Sequence, residues 1–157
     1  MSKFILHCFT TMLLAISGLA AIAPAIAQDT LPYKDGVVVV VTSVRTQPGK
    51  FNDYVRYLTG PYSRIMEQAK KEGILSDYGF YGAQPKSPDE PDLYIVETYP
   101  NMAVFDTITD KMTAISSKVF GSLKQADEAD ANREEIRKIL GTEMIRELVP
   151  AKKAPTE

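Results

Sequence analysis

The chain has 157 residues, 45% of them hydrophobic and 24% charged, with a formal net charge of -2 and a pI near 5.5. That is an ordinary globular composition of single-domain size, and a slight acidity without any basic run leaves no electrostatic footprint for nucleic acid. A single cysteine excludes a disulfide framework, and apolar residues spread along a mixed chain exclude intrinsic disorder.

Residues 1–27 read as a secretory signal. Lys3 supplies a short basic start, residues 4–22 are mostly apolar, and Pro24 breaks the helix ahead of Ala25-Ile26-Ala27, a small-x-small cleavage site before Gln28. The apolar run is just long enough to span a bilayer, so a retained anchor is the rival reading. Thr10, Thr11 and Ser17 dilute that run, and the Ala-x-Ala site favours cleavage. The expectation is a periplasmic or secreted protein that begins at Gln28 and has no membrane attachment after cleavage.

Cleavage has a chemical consequence. The only histidine, His7, and the only cysteine, Cys8, leave with the signal, and the chain has no tryptophan. The mature protein then lacks a thiolate nucleophile, a Ser-His or Cys-His pair and an imidazole base. It also lacks zinc ligands of the Cys/His kind and any His or Cys ligand for haem iron. No metal and no cofactor are expected.

The mature chain begins with a polar lead-in, residues 28–35, in which Pro32 fixes the backbone. Residues 37–44 are a nearly unbroken β-branched run and predict a strand buried on both faces. Pro48 suits the first turn of a helix whose apolar positions Phe51, Val55, Leu58, Tyr62, Ile65 and Ala69 alternate steps of four and three. That register continues across Gly60-Pro61, which predicts a kink within one long helix, with Gly73 as its terminator. Tyr54 and Tyr57 fall one residue off the stripe, so at least one of them is expected to be half exposed.

Residues 74–82 and 93–99 have strand composition and are separated by a loop rich in proline and charge, a long-connection hairpin. Pro100-Asn101 caps a second helix with the face Phe105, Ile108, Met112, Ile115 and Val119, interrupted at Gly121. A third helix is predicted over residues 131–140. Glu134 and Glu135 come early in it and Arg137 and Lys138 late, as the helix dipole prefers, with Asp127 or Asp130 as cap and Gly141 as stop. Residues 142–149 predict the last strand, and residues 150–157 a disordered tail.

The order β-α-β-β-α-(α)-β is that of an α+β, ferredoxin-like split βαβ domain with an antiparallel sheet and helices on one face, here spanning residues 36–149. Because the first strand is apolar on both sides, its open face also needs cover. A second copy of the sheet is the simplest cover, so a homodimer is predicted.

Over residues 36–149 the chain resembles the dimeric α/β-barrel superfamily, which includes antibiotic-biosynthesis-monooxygenase-like and NIPSNAP-like proteins. The resemblance rests on the apolar first strand, Pro48-Gly49-Lys50-Phe51 opening the first helix, Glu97-Thr98-Tyr99 ending the third strand, and residues 101–106 opening the next helix. It implies two sheets closing into a barrel across a dimer, with small-molecule pockets between helices and sheet in the enzymatic members. Several active members use a histidine, and the mature chain has none.

The candidate polar residues lie on strands. Asp77 and Tyr81 share one face of the second strand, and Glu97 and Tyr99 one face of the third. Arg45 ends the first strand, and Arg146 lies within the last. Glu97 or Asp77 in a dry pocket would act as a base, with Tyr81, Tyr99, Arg45 and Arg146 as ligand-binding groups. The bland alternative is a cross-strand polar network in which Arg146 pairs with Glu97. The tyrosines either line a pocket for a flat or apolar ligand or simply pack the core. Asp106 with Asp110, and Asp127 with Glu128 and Asp130, match no calcium loop, and phosphate-loop and dinucleotide fingerprints are absent.

Three functional classes remain open. One is a binding protein for a small apolar or aromatic molecule. The others are a cofactor-independent monooxygenase or isomerase, and a structural dimer that engages a protein partner.

Overall fold

A computed structural model describes residues 31–151. The expected signal, with His7 and Cys8, lies outside the described residues, as do residues 152–157. The described elements are β1 (Tyr33–Thr46), α1 (Phe51–Tyr57), a π turn (Leu58–Tyr62), α2 (Ser63–Lys71), β2 (Asp77–Gly82), β3 (Leu93–Tyr99), a 3-10 turn (Met102–Asp106), α3 (Ile108–Phe120), α4 (Leu123–Arg133) and β4 (Arg137–Pro150). The strands form one open sheet in the order β2-β3-β1-β4, with every neighbouring pair antiparallel. The architecture is α+β, consistent with the ferredoxin-like class. No helix among the described residues is long and apolar enough to cross a membrane.

Strand β1 is longer at both ends than its apolar run. Tyr33, Lys34 and Asp35 pair with Pro150, Val149 and Leu148. The polar lead-in therefore ends at Pro32, and Pro150 belongs to a strand rather than to the tail. Ladder hydrogen bonds are made by the backbone, so polar side chains extend a strand whenever a partner lies alongside. The long β1–β4 pair shifts register twice, between Asp35 and Val38 and between Ser43 and Val44, where Gly141 and Ile139 are the successive partners and Leu140 is extra.

The predicted kink is present. Gly60 (φ -107°, ψ -105°) and Pro61 interrupt the first helix as the π turn. Pro61 has no N–H to give, and at the end of the turn both the backbone N–H and the hydroxyl of Ser63 donate to the Leu58 carbonyl, the hydroxyl at 2.7 Å. The helix then ends at Gly73, whose φ of 69° is the left-handed stop. Ile74 and Leu75, expected to begin the next strand, are buried in the connection instead, and the strand starts at Asp77.

The core lies between the helices and one sheet face. Val38, Ile65, Met66, Ile74, Tyr99 and Ile115 form one buried cluster, and Val44, Tyr54, Leu58, Leu93 and Ile95 a second. Tyr54 is buried and Phe51 is exposed, the reverse of the apolar-stripe reading. Tyr54 stacks on Tyr57 with ring centroids 6.1 Å apart and lies under the Arg137 guanidinium at 5.9 Å, so an aromatic ring with a polar tip fills the place a hydrocarbon was assigned.

The third helix is where the sequence reading is overturned. α4 runs from Leu123 to Arg133, and residues 137–140 belong to β4. Its cap is Ser122, in extended conformation, whose hydroxyl accepts from the Gln125 N–H at 3.2 Å. Neither Asp127 nor Asp130 caps it. The acidic-then-basic order of residues 134–138 fits a helix dipole, but long-range pairing of Arg137 with Thr46 and of Lys138 with Arg45 outweighs that local preference. Gly141 is likewise a ladder residue opposite Ser43, not a helix stop.

No helix covers β4. Ile139, Met144, Ile145, Leu148 and Val149 are exposed, and Val39, Val41 and Val96 on the central strands are only half-buried.

Candidate functional site

The period of two along β3 decides which side chains meet the helices. Leu93, Ile95, Glu97 and Tyr99 share one face, and the first, second and fourth are buried beneath α1, α2 and α3. Glu97 is the polar exception. Its cross-strand neighbours are Val40 and Tyr78, and the π turn brings Tyr62 down onto it from above. The Tyr62 hydroxyl donates to Glu97 Oε1, and the Tyr99 hydroxyl donates to Oε2 at 2.6 Å.

This three-residue cluster floors a cavity of about 410 Å³ between sheet and helices. Tyr57, Met66, Met112 and Phe120 supply apolar wall, and Thr113, Asp127, Asp130 and Arg133 stand at its helical side. The rings are mutually braced. Tyr62 lies 6.0 Å from Tyr57 and 5.9 Å from Phe80, and Tyr99 lies 4.8 Å from Phe105. All are tilted pairs, the arrangement that the ring quadrupole favours.

The charges follow a clear division. Burial, and next the Glu97 carboxylate, push the Tyr62 and Tyr99 phenols far above the ordinary tyrosine value. Both therefore stay protonated and act as donors. Among the described residues Glu97 has no cationic partner. Arg133 is committed elsewhere, paired with Asp130 and seated 4.5 Å over the Tyr57 ring. Arg137 is buried behind it, 3.5 Å from Glu134 and 3.8 Å from Asp130, and its Nε has no hydrogen-bond partner among the described residues.

Of the sequence-predicted site residues, Glu97 and Tyr99 share this cavity and the others stand apart. Asp77 pairs with Thr98, one position off the Glu97 face, and its exposed carboxylate is held below the usual range by Lys70 at 3.0 Å. Tyr81 is exposed. Arg45 donates to the Glu90 carbonyl at 3.3 Å. Arg146 binds Asp35 at 2.8 Å, so the expected Arg146–Glu97 pair does not form; the register puts Arg146 opposite Val38, on the far side of β1 from β3.

Tyr57 and Tyr62 are among the tyrosines that the sequence left open between pocket lining and core packing, and both line the cavity. Arg133 and Asp130 were not legible as lining residues, because the third helix was placed too late in the chain. The Ser122-x-x-Gln125 spacing was the available signal. Among the described residues no three His, Cys, Asp or Glu side chains cluster in a way that could hold a metal ion.

No protein-family model matches the chain, and no curated protein matches it. Among solved structures, the crystal structure of protein SO0527 from Shewanella oneidensis is similar to this chain at 18% identity and a TM-score of 0.48, over 74% of this chain and 98% of that one. At that identity and score, function has to be read from the chain's own residues.

Proposed function

We propose that the protein is an exported, homodimeric binding protein that holds a small aromatic or apolar molecule in the cavity between its helices and sheet. The observation that carries the reading is the cavity itself. Its volume of about 410 Å³ lies within the range of about 300–1,000 Å³ typical of small-molecule pockets, and aromatic rings wall it around one fixed polar cluster. Pre-braced rings bind flat ligands with little loss of side-chain freedom.

A proton-transfer enzyme is the weaker reading. The two phenols are held protonated and spend their hydrogens on Glu97, so neither is free to give a proton to a substrate or to take one from it. The homodimer is supported by the apolar residues left bare on β4 and by the half-buried valines of β1 and β3. Closure into a two-sheet barrel, as in the dimeric α/β-barrel proteins, is the arrangement that would cover the valines.

The test is equilibrium dialysis of indole, a neutral aromatic probe, against protein prepared from the full chain. Saturable one-per-chain binding is expected, and loss of it in Ser116→Trp, which fills the cavity from α3, with unchanged circular dichroism. No saturable binding, or undiminished binding in Ser116→Trp, contradicts the reading.

A further inference from the structure

The cavity combines aromatic faces with negative charge that Arg133 in its lining, and Arg137 behind Asp130, offset only in part. Its lining carries three carboxylates, Glu97, Asp127 and Asp130, against one guanidinium, Arg133. Arg133 is consumed by Asp130 and the Tyr57 ring. Asp127, exposed at the helical side, makes no ion pair among the described residues. Glu97, half-buried on the floor, is held by hydrogen bonds from two neutral phenols and not by a cation.

Two consequences follow from that arrangement. A carboxylate can accept about four hydrogen bonds, and the two phenols use one on each oxygen, which leaves acceptor capacity open for a donor arriving in the cavity. The phenol hydrogens of Tyr62 and Tyr99 are spent on Glu97, so these two tyrosines offer a ligand their rings rather than their hydroxyls. Ring faces are the negative part of the aromatic quadrupole and attract cations. An anionic ligand would meet carboxylates and ring faces, and a neutral donor would gain only a hydrogen bond. A cation gains from both.

We propose that the ligand class of this cavity is a small organic amine with an aromatic or apolar body, its ammonium directed to Glu97 and its body lying among Tyr57, Tyr62 and Phe120. This rests on the pocket reading above and adds the sign of the ligand's charge. The positive group is the element of recognition, and the apolar walls set only size and shape.

The test uses three probes with one skeleton, 2-phenylethylamine, 2-phenylethanol and phenylacetate, titrated calorimetrically into protein prepared from the full chain at neutral pH. The amine is expected to bind at least about ten-fold more tightly than the alcohol, with phenylacetate weakest, as charge-assisted and cation–π contacts require. Glu97→Gln is expected to erase most of the amine's advantage while leaving the alcohol's affinity within about two-fold. Thr113→Lys, an exposed substitution at the cavity lining, keeps the test decisive should Glu97→Gln fold poorly. It is expected to weaken the amine selectively and to strengthen phenylacetate.

If the alcohol or phenylacetate binds as well as the amine while indole still occupies the cavity, the charge proposal falls and the pocket reading stands. If neither indole nor any of the three probes binds, both fall. An amine preference untouched by both Glu97→Gln and Thr113→Lys also overturns the proposal.

Discussion

Replacing Glu97 by alanine leaves two phenol groups, Tyr62 and Tyr99, without their acceptor. Hydrogen bonds to an ionised partner contribute about 1.5–3 kcal/mol each, so the pair sets an upper bound of about 3–6 kcal/mol. The structure reduces that figure. All three residues line a cavity wide enough for water, which can replace part of what each phenol loses, although Tyr99 is only 5% exposed. Removing a half-buried carboxylate also relieves its own desolvation. The expected net loss is about 2–3 kcal/mol, which at a urea m-value of about 1–3 kcal/mol/M lowers the unfolding midpoint by about 0.7–3 M. Urea titrations of Glu97→Ala, Tyr62→Phe, Tyr99→Phe and the two double variants measure it. Each phenol should couple to Glu97 by about 1 kcal/mol or more in the cycle. A Glu97→Ala midpoint equal to that of the unmodified protein, or strictly additive double variants, would refute the view that this cluster is held together by its hydrogen bonds.

The raised tyrosine values make stability fall in alkali. Folding favours the neutral phenols of Tyr54, Tyr57, Tyr62 and Tyr99, so their contribution is complete below the unfolded value near pH 10 and is lost as the pH rises beyond it. The slope should reach about 1.4 kcal/mol per pH unit for each phenol and be shallower in Tyr62→Phe, as read by urea midpoints above and below pH 10; a flat profile would be inconsistent with buried phenols. Arg137 is 7% exposed and among the described residues has an unpartnered Nε and only long ion contacts, so Arg137→Met should cost less than about 1 kcal/mol or even stabilise, and a loss above about 3 kcal/mol would mean the guanidinium is fully satisfied. Ile145, exposed on β4 opposite Val39, should tolerate lysine in the single chain. Sedimentation should show a dimer for the unmodified protein and a monomer for Ile145→Lys, and two identical dimers would place the interface elsewhere.

The parts of the fold that could be read from sequence are those with local causes. Steric preference marks the Val37–Val44 run, a missing N–H and a flexible glycine mark the Gly60-Pro61 kink, and a left-handed φ marks Gly73. The failures are non-local. Tyr33–Asp35 and Arg137–Leu140 are strand because β1 and β4 lie side by side, which no window of residues around either can reveal. The same gap explains the site. Strand alternation puts Glu97 beside Tyr99, but Tyr62 reaches them only through the π turn, and Arg133 only through the true span of α4. Arg146 could be paired with Glu97 only while the strand order was unknown; β1 stands between β3 and β4.

The most direct test of the cavity as a ligand site is methyl NMR of protein labelled at its methionines. Met66 and Met112 line the cavity, whereas Met102 and Met144 are exposed away from it. Titration with indole should shift the Met66 and Met112 methyl signals along saturable curves and leave Met102 and Met144 in place. Shifts at Met144 alone, or none at Met66 and Met112 under saturating indole, would contradict the account and turn attention to the bare face of β4.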